Sequence, residues 1–255
     1  MERVFKNFKK YKYLLFELTK KNIKLKYRRS YLGILWTLLE PILTTIVLTL
    51  VFTNLRKTAD ATFPVYILTG RLLYSYFAQS TRQAMKSIRS NSGMIKKVYV
   101  PKYIYPLSDI LSNYIIFLIS MIVLLGSMLV FKVQPTKYIF NAVIPLVLLL
   151  ILCLGMGLIL ATLAVFFRDM EYLWGVILMM IMYTSAIFYD ASIVPAKWIF
   201  YFNPIYHLIV NFRNSVYGTP LDGNSLMVSL GYSFASLIIG IILFYKKQDK
   251  FILNI

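Results

Sequence analysis

The sequence predicts an all-α polytopic membrane protein with six transmembrane helices, an N-terminal interfacial amphipathic helix and re-entrant outer helices between spans five and six. Three observations carry that prediction. Hydrophobic residues fill 59% of the 255 positions and charged residues only 15%, with a mean hydropathy of +0.67, which suits lipid better than water. The apolar residues gather into six runs at 31–53, 63–81, 109–131, 138–166, 172–189 and 226–245, near the roughly 20 residues a helix needs to cross a hydrocarbon core. The net charge of +18 lies at the ends of those runs, as topology requires, and not on a face that would track nucleic acid. The expected organisation is a cytoplasmic interfacial helix over 1–30 and a six-span domain over 31–255.

Along the N-terminal stretch, Val4, Phe8, Tyr11, Leu15 and Leu18 recur at spacings of four and three, with lysines mostly off that line. This pattern predicts a helix lying on the membrane surface, and the long first run argues against a cleavable signal. The first span carries Glu40 before Pro41. The second is the least apolar, with Gly70, Arg71 and Gln79, and the fourth is long enough to predict a tilt or a bend near Pro145.

Orientation follows from the basic residues between spans. With both termini inside, 21 of the 28 Lys and Arg fall in inner segments and six in outer ones, the latter being Arg56, Lys57, Lys132, Lys137, Lys197 and Arg213. The inner connection 82–102 has six basic residues and no acidic one. Its Ala84, Met85, Ile88, Met94, Ile95 and Val98, around an Asn91-Ser92-Gly93 break, predict a short helix pressed into a soluble partner. The outer connection 190–225 contains two short apolar stretches parted by Asn203-Pro204, each too short to span. Such a pair reads as re-entrant or interfacial.

Several chemistries are excluded. A single cysteine, Cys153, and a single histidine, His207, leave no disulfide framework within the chain and no Cys/His metal site. No phosphate-binding loop exists, since Gly155-x-Gly157 sits mid-helix without a third glycine, so the chain has no ATP site by that route. No nucleophile and base stand at a motif spacing, and no catalytic residue is assigned. His207 reads as a polar tip on an interface helix.

Charged residues within spans are costly and usually face a cavity or a partner, which singles out Glu40 and Arg71 as an ion pair or as a site for an anionic headgroup. Asp109, at the inner end of the third span, reads as an interface residue. Tyr74, Tyr76 and Phe77 in the second span, with Tyr183, Phe188 and Tyr189 in the fifth, are candidates for stacking on sugar faces along a transport path.

The stretch Ile23-Lys-Leu-Lys-Tyr-Arg-Arg-Ser-Tyr-Leu-Gly-Ile-Leu-Trp-Thr-Leu-Leu-Glu-Pro41 resembles the basic elbow and first span of permease subunits of type-two ABC exporters for polysaccharides, teichoic acids and O-antigen. Ile95-Lys-Lys-Val-Tyr-Val-Pro101, Phe166-Phe-Arg168-Asp169 and Asn203-Pro204 resemble further segments of that family, in order, over essentially the whole chain. Matching residues include Arg28, Arg29, Gly33, Trp36 and Pro41, while Glu40 and Arg71 depart from its usual neutral positions. The resemblance implies a homodimer joined to two ABC ATPase subunits, with ATP and magnesium held by those partners. It implies a lipid-linked polysaccharide cargo and a multi-pass location in the bacterial cytoplasmic membrane. It makes 82–97 a coupling helix, with Lys86, Ile88, Asn91, Met94, Ile95, Lys96 and Lys97 as contact residues, and 191–218 an outer gate. A membrane-embedded transferase would need an acid/base pair or a carboxylate cluster, for which only Asp169 and Glu171 offer themselves. An ion-coupled secondary transporter would need two corresponding halves, and none is seen.

Overall fold

The computed structural model describes residues 2–28, 30–56, 61–98, 100–195 and 198–254, with side chains described from Tyr11 onward apart from those of 54–56. Arg29, Lys57 and Lys197, and the side chains of Val4, Phe8 and Arg56, lie outside that description. The described residues form helices and turns, with no strand among them. Ten α-helices run as α1 Glu2–Tyr27, α2 Trp36–Arg56, α3 Phe63–Ser90, α4 Ser92–Ile95, α5 Ile104–Val130, α6 Val143–Phe166, α7 Met170–Tyr183, α8 Trp198–Tyr201, α9 Pro204–Tyr217 and α10 Gly223–Lys247. One end of the bundle, here the basic end, gathers α1, α4 and the adjoining ends of α3, α5, α6, α7 and α10. The opposite end carries α8 and α9.

In α1 the predicted stripe is a buried face: Leu15 and Leu18 pack into a cluster with Ile88, Ile104, Phe244 and Phe251, while Tyr13 and Phe16 stay exposed. Asn22 donates to the Asp109 carboxylate at 2.7 Å, so Asp109 fastens α1 to α5 and is not a bare interface residue. In α2, Pro41 lacks the N–H that would bond the carbonyl of Thr37. The Ser120 hydroxyl of α5 supplies the missing donor at 2.9 Å, which turns a helix-weakening residue into a tie between helices.

At the centre stands α3, where Val65, Ile67, Leu68, Leu73, Phe77, Ala84 and Met85 are all essentially inaccessible. Its neighbours are α2, α5, α6, α7 and α9. This placement explains its weak hydropathy. A helix enclosed by others can carry polar groups: the Trp174 indole meets the buried Thr81, and Arg71 and Gln79 line a polar cleft beside Glu40 and Asn113.

α6 and α10 make the most intimate pair. The buried face of α10 is Ser225, Ser229, Ser233, Ser236, Gly240 and Phe244, a stripe of small residues that lets two backbones approach. Glycine is required at the crossing: a Cβ on Gly240 would stand 2.5 Å from the carbonyl oxygen of Gly155. Gly155 therefore serves packing, as does Gly157, whose Cβ would strike Ile110 and Ala84.

Among the described residues four helical stretches are long and apolar enough to cross a membrane, Gly33–Thr53, Ile104–Val130, Lys137–Phe166 and Gly223–Leu253, with Met170–Tyr183 a shorter apolar helix. Several expectations change. The third run begins as helix at Ile104 and not at 109, because Tyr105, Pro106 and Ser108 are buried in protein. The fifth run, 172–189, is helical only to Tyr183, about 21 Å at 1.5 Å per residue, and turns over 184–189. Pro145 sits in the first turn of α6, after a 3-10 segment Lys137–Ala142, where its missing N–H is harmless. The connection 82–102 is no loop with a helix inside it, since α3 continues to Ser90 and only the single turn α4 follows.

The α6–α10 crossing yields a test with an inverted sign. Alanine normally stabilises a helix over glycine by about 1 kcal/mol. Gly240→Ala should instead lower the thermal midpoint of the purified protein, since overpacking costs about 1–3 kcal/mol. Gly231→Ala, on the same helix but facing open space, should not. Equal behaviour of the two variants in a thermal unfolding assay would refute the close approach.

Candidate functional site

A polar ladder joins α3 to α7 along its length. At the basic end Lys86 pairs with Glu171 at 2.8 Å, and Arg89 reaches the same carboxylate at 3.8 Å. One turn further along, the Trp174 indole donates to Thr81 Oγ1 at 3.0 Å. Beyond that the Tyr74 hydroxyl donates to the Leu178 carbonyl at 2.9 Å. Antiparallel packing keeps these pairs in step; the Trp174 and Tyr74 bonds satisfy buried groups, while the Lys86 and Glu171 pair is partly exposed.

At the opposite end the ladder finishes in a clamp built by Arg213 of α9. Its Nη1 donates to the Ala186 carbonyl at 3.0 Å, and Nη2 donates to the carbonyls of Tyr66 at 3.1 Å and Ile187 at 3.2 Å. Nε reaches Thr69 Oγ1 at 3.4 Å, and the guanidinium lies 3.4 Å above the Tyr66 ring. Three segments thus meet on one side chain: the start of α3, the turn after α7, and α9. Arg213 was expected as a charge in an outer connection; it is buried at 8% exposure. The sequence signal for this was its helical spacing from Ile209 and Val216, two buried residues of the same helix.

Asn203 makes the second joint. Its Oδ1 accepts from the backbone N–H of Ile205 and Tyr206 and so caps α9, with Pro204 following where no N–H is needed. Its Nδ2 donates to the Ile181 carbonyl and to the hydroxyls of Thr184 and Ser185. The Asn203-Pro204 pair therefore starts α9 and pins it to the end of α7. His207 is no exposed polar tip. It is buried, with Nε2 facing the Tyr201 carbonyl at 3.3 Å and Nδ1 facing Ser225 Oγ at 3.1 Å.

Glu40 and Arg71 line one cleft, together with Lys26 and Tyr27 of the α1 end, Ser75 and Gln79 of α3, and Asn113 of α5. Among the described residues no ion pair joins Glu40 to Arg71. Burial lowers the Lys26 ammonium from its ordinary value, while the Glu40 carboxylate pulls the other way. The cleft measures about 70 Å³, space for a few waters at roughly 30 Å³ each and not for a sugar. Tyr76 also borders it, stacked 4.9 Å from Phe117. Tyr74 and Phe77 are buried within the bundle, Phe77 against Trp174, and Phe188 is buried on Phe52 at 5.1 Å. Tyr183 is exposed.

At the basic end, Met94, Lys96, Lys97 and Val98 are exposed around α4, whereas Ile88 and Ile95 are buried in the α1 cluster. Asn91 caps the turn, its amide donating to the Ser87 carbonyl at 2.8 Å. Arg28, Trp36, Arg168 and Asp169 are exposed, Gly33 has a positive φ at the elbow, and Pro101 precedes α5.

With this geometry in view, comparison with known proteins is decisive. The family model for ABC-2 type transporters matches residues 13–217. The chain belongs to the ABC-2 type transporter family. The match runs from the buried face of α1 through the ladder and the clamp to the end of α9. The chain is 26% identical over 241 residues to an O-antigen export system permease protein RfbA of Klebsiella pneumoniae, covering 93% of each. It is 25% identical over 256 residues to RfbA of Myxococcus xanthus, covering 98% of each. It is also 25% identical over 239 residues to the polysialic acid transport protein KpsM of Escherichia coli, covering 90% of this chain and 91% of KpsM.

The clamp is testable. Arg213→Ala removes the charged donor shared by three carbonyls, leaving Tyr66 with Thr69 Oγ1 and Ala186 with the Tyr66 hydroxyl. Hydrogen bonds from charged groups are worth about 1.5–3 kcal/mol each, so a clear drop in thermal midpoint is expected. Arg213→Lys should rescue little, because one ammonium has no planar fork to reach carbonyls on two segments. A lysine variant as stable as the wild type would show that charge alone, and not the fork, holds the end of the bundle.

Proposed function

We propose that this chain is the membrane-spanning permease subunit of an ATP-driven exporter, acting as a homodimer with two separate ABC ATPase subunits. The cargo is a lipid-linked cell-surface polysaccharide carried across the bacterial cytoplasmic membrane. The observation that carries the reading is end-to-end similarity to permeases named for O-antigen export and to one named for polysialic acid transport. The chain binds no nucleotide; ATP and magnesium sit on the partner.

Six crossings are then made by α2, α3, α5, α6, α7 with the turns to residue 189, and α10. At 28 residues α3 is about 42 Å long, ample for a span. α8 and α9 form the re-entrant outer gate. The basic end faces the cytoplasm with both termini, which agrees with the excess of Lys and Arg there and with attraction to anionic headgroups. ATPase closure acts on α4 and the last turns of α3. The ladder carries that displacement along α3 and α7 to the Arg213 clamp and the gate.

The interface test uses exposed residues only, because Ile95 is buried and its replacement would damage the subunit itself. The wild-type chain should co-purify with its ATPase and couple hydrolysis to export. Met94→Asp combined with Val98→Asp should leave the subunit inserted and folded yet release the ATPase, by placing unpaired charge in the contact. A complex that assembles and exports normally with both substitutions would overturn the docking role of α4.

Arg71 and Glu40 give a second test. With no ion pair between them, Arg71→Ala should fold normally and lose export, and Glu40→Gln added to it should not restore transport. Recovery of export in the double variant would assign the two residues to mutual neutralisation instead.

A further inference from the structure

A cavity large enough for a small ligand lies at the end opposite the charged cleft, between α8, α9 and the start of α10. It measures about 340 Å³, inside the roughly 300–1,000 Å³ typical of small-molecule sites. Its lining includes Phe200, Tyr201, Tyr206 and His207 on one side and Asp222, Asn224 and Ser225 on the other. We propose that this cavity is a binding subsite for one neutral sugar ring of the emerging polymer.

Two features point to a sugar. Aromatic rings form a braced wall. Phe200 and Tyr206 stand 4.8 Å apart, and Tyr206 meets His207 edge-on at 5.4 Å. Rigid π faces of this kind take the C–H face of a pyranose at little entropic cost. Facing them is a polar rim whose acceptors and donors suit hydroxyl groups. Asp222 caps α10 through Oδ2, bonded to the Ser225 N–H at 2.9 Å, and keeps lone pairs for a further donor. The exposed Asn224 amide beside it both donates and accepts.

The charge of the site points to a neutral ring. Asp222 is the only charged side chain among the described lining residues. A carbonyl can only accept, so Nε2 carries the hydrogen that meets Tyr201, while the Ser225 hydroxyl can serve Nδ1 as donor or acceptor. Burial holds the His207 imidazole below its ordinary value, so it adds no positive charge at neutral pH. A carboxylated or phosphorylated unit would bring its charge next to Asp222 with no cation among the described lining residues to offset it, whereas a hexose or deoxyhexose brings only hydroxyls and C–H faces. The cavity thus favours polymers with neutral repeats over acidic ones such as polysialic acid.

The inference rests on the export reading for the origin of the sugar, but binding itself needs neither partner nor ATP. The test is saturation-transfer NMR on the purified full-length chain in detergent micelles, with methyl mannoside, methyl rhamnoside and N-acetylneuraminic acid as probes. The neutral glycosides should receive saturation and N-acetylneuraminic acid should not. Tyr201→Ala and Asn224→Ala should each weaken binding about fivefold, the worth of one aromatic face or one hydrogen bond. Both side chains are exposed, and the Tyr201 carbonyl that holds His207 survives the substitution, so folding is preserved. Absence of transfer to both neutral glycosides, transfer unchanged in both variants, or equal transfer to N-acetylneuraminic acid would each overturn the proposal. Loss of the signal when lipid replaces detergent would also overturn it, identifying an acyl chain as the occupant. A chain that fails to assemble with an ATPase would instead sink the export reading and leave this result standing.

Discussion

The constraint on which the rest of the structure depends is that α3 cannot face lipid. It carries Arg71, Gln79 and Thr81, and a charge at the centre of a lone helix facing hydrocarbon costs about 2.5–3.5 kcal/mol on insertion scales. The remaining helices answer by enclosing it. α5 and α6 cover one side, α7 and α9 another, and α2 lies across the face where Arg71 opens into the narrow cleft. The apolar helices can afford exposure because lipid solvates them, which is why Ile42, Leu43, Ile46, Val47 and Leu50 of α2 remain uncovered.

Enclosure of α3 also decides how the bundle moves. Pairs from Lys86 with Glu171, through Trp174 with Thr81 and Tyr74 with Leu178, to the Arg213 clamp bind α3 to α7 at four levels. Sliding one helix past the other would break the buried Trp174–Thr81, Tyr74–Leu178 and Arg213 bonds together, with nothing to replace them, while only the partly exposed Lys86–Glu171 pair could turn to water. The pair therefore moves as one body. The contact of α2 with its neighbours is different in kind, since its few described ties include the single Ser120 to Thr37 bond at the Pro41 gap. Relative motion within the subunit is cheapest along that seam, where the Glu40 and Arg71 cleft lies.

Much of this was legible in the sequence, and what was not had a physical reason. Apolar periodicity located α1 and its buried Leu15 and Leu18, and the Asn203-Pro204 signal located the start of α9, because caps and stripes are local features. Hydropathy misjudged boundaries where protein replaces lipid: α5 begins earlier than its apolar run, and α7 ends before the run does, since Ser185, Ala186, Ile187 and Phe188 are buried in a turn against α3 and α9. Gly155-x-Gly157 was read for phosphate binding and set aside; its use is a helix crossing whose partner, Gly240, lies far along the chain. In the sequence Arg213 reads only as an outer charge and Glu171 only as a carboxylate a transferase might use, because their partners, carbonyls of distant turns and lysine on another helix, leave no mark at motif spacing.

The two cavities divide the chemistry of a transport subunit in a way that charge alone explains. The cleft at the basic end holds Lys26, Arg71 and Glu40, strong charges kept apart and able to meet an ionic group, but with too little room for a sugar in this conformation. The cavity at the other end has room and aromatic walls, and the one charge among its described lining residues is an acid. On the export reading, an anionic group is drawn to the first and a neutral ring finds stacking surface in the second, so a polymer with a charged lipid end and uncharged repeats meets opposite preferences at the two ends of the bundle.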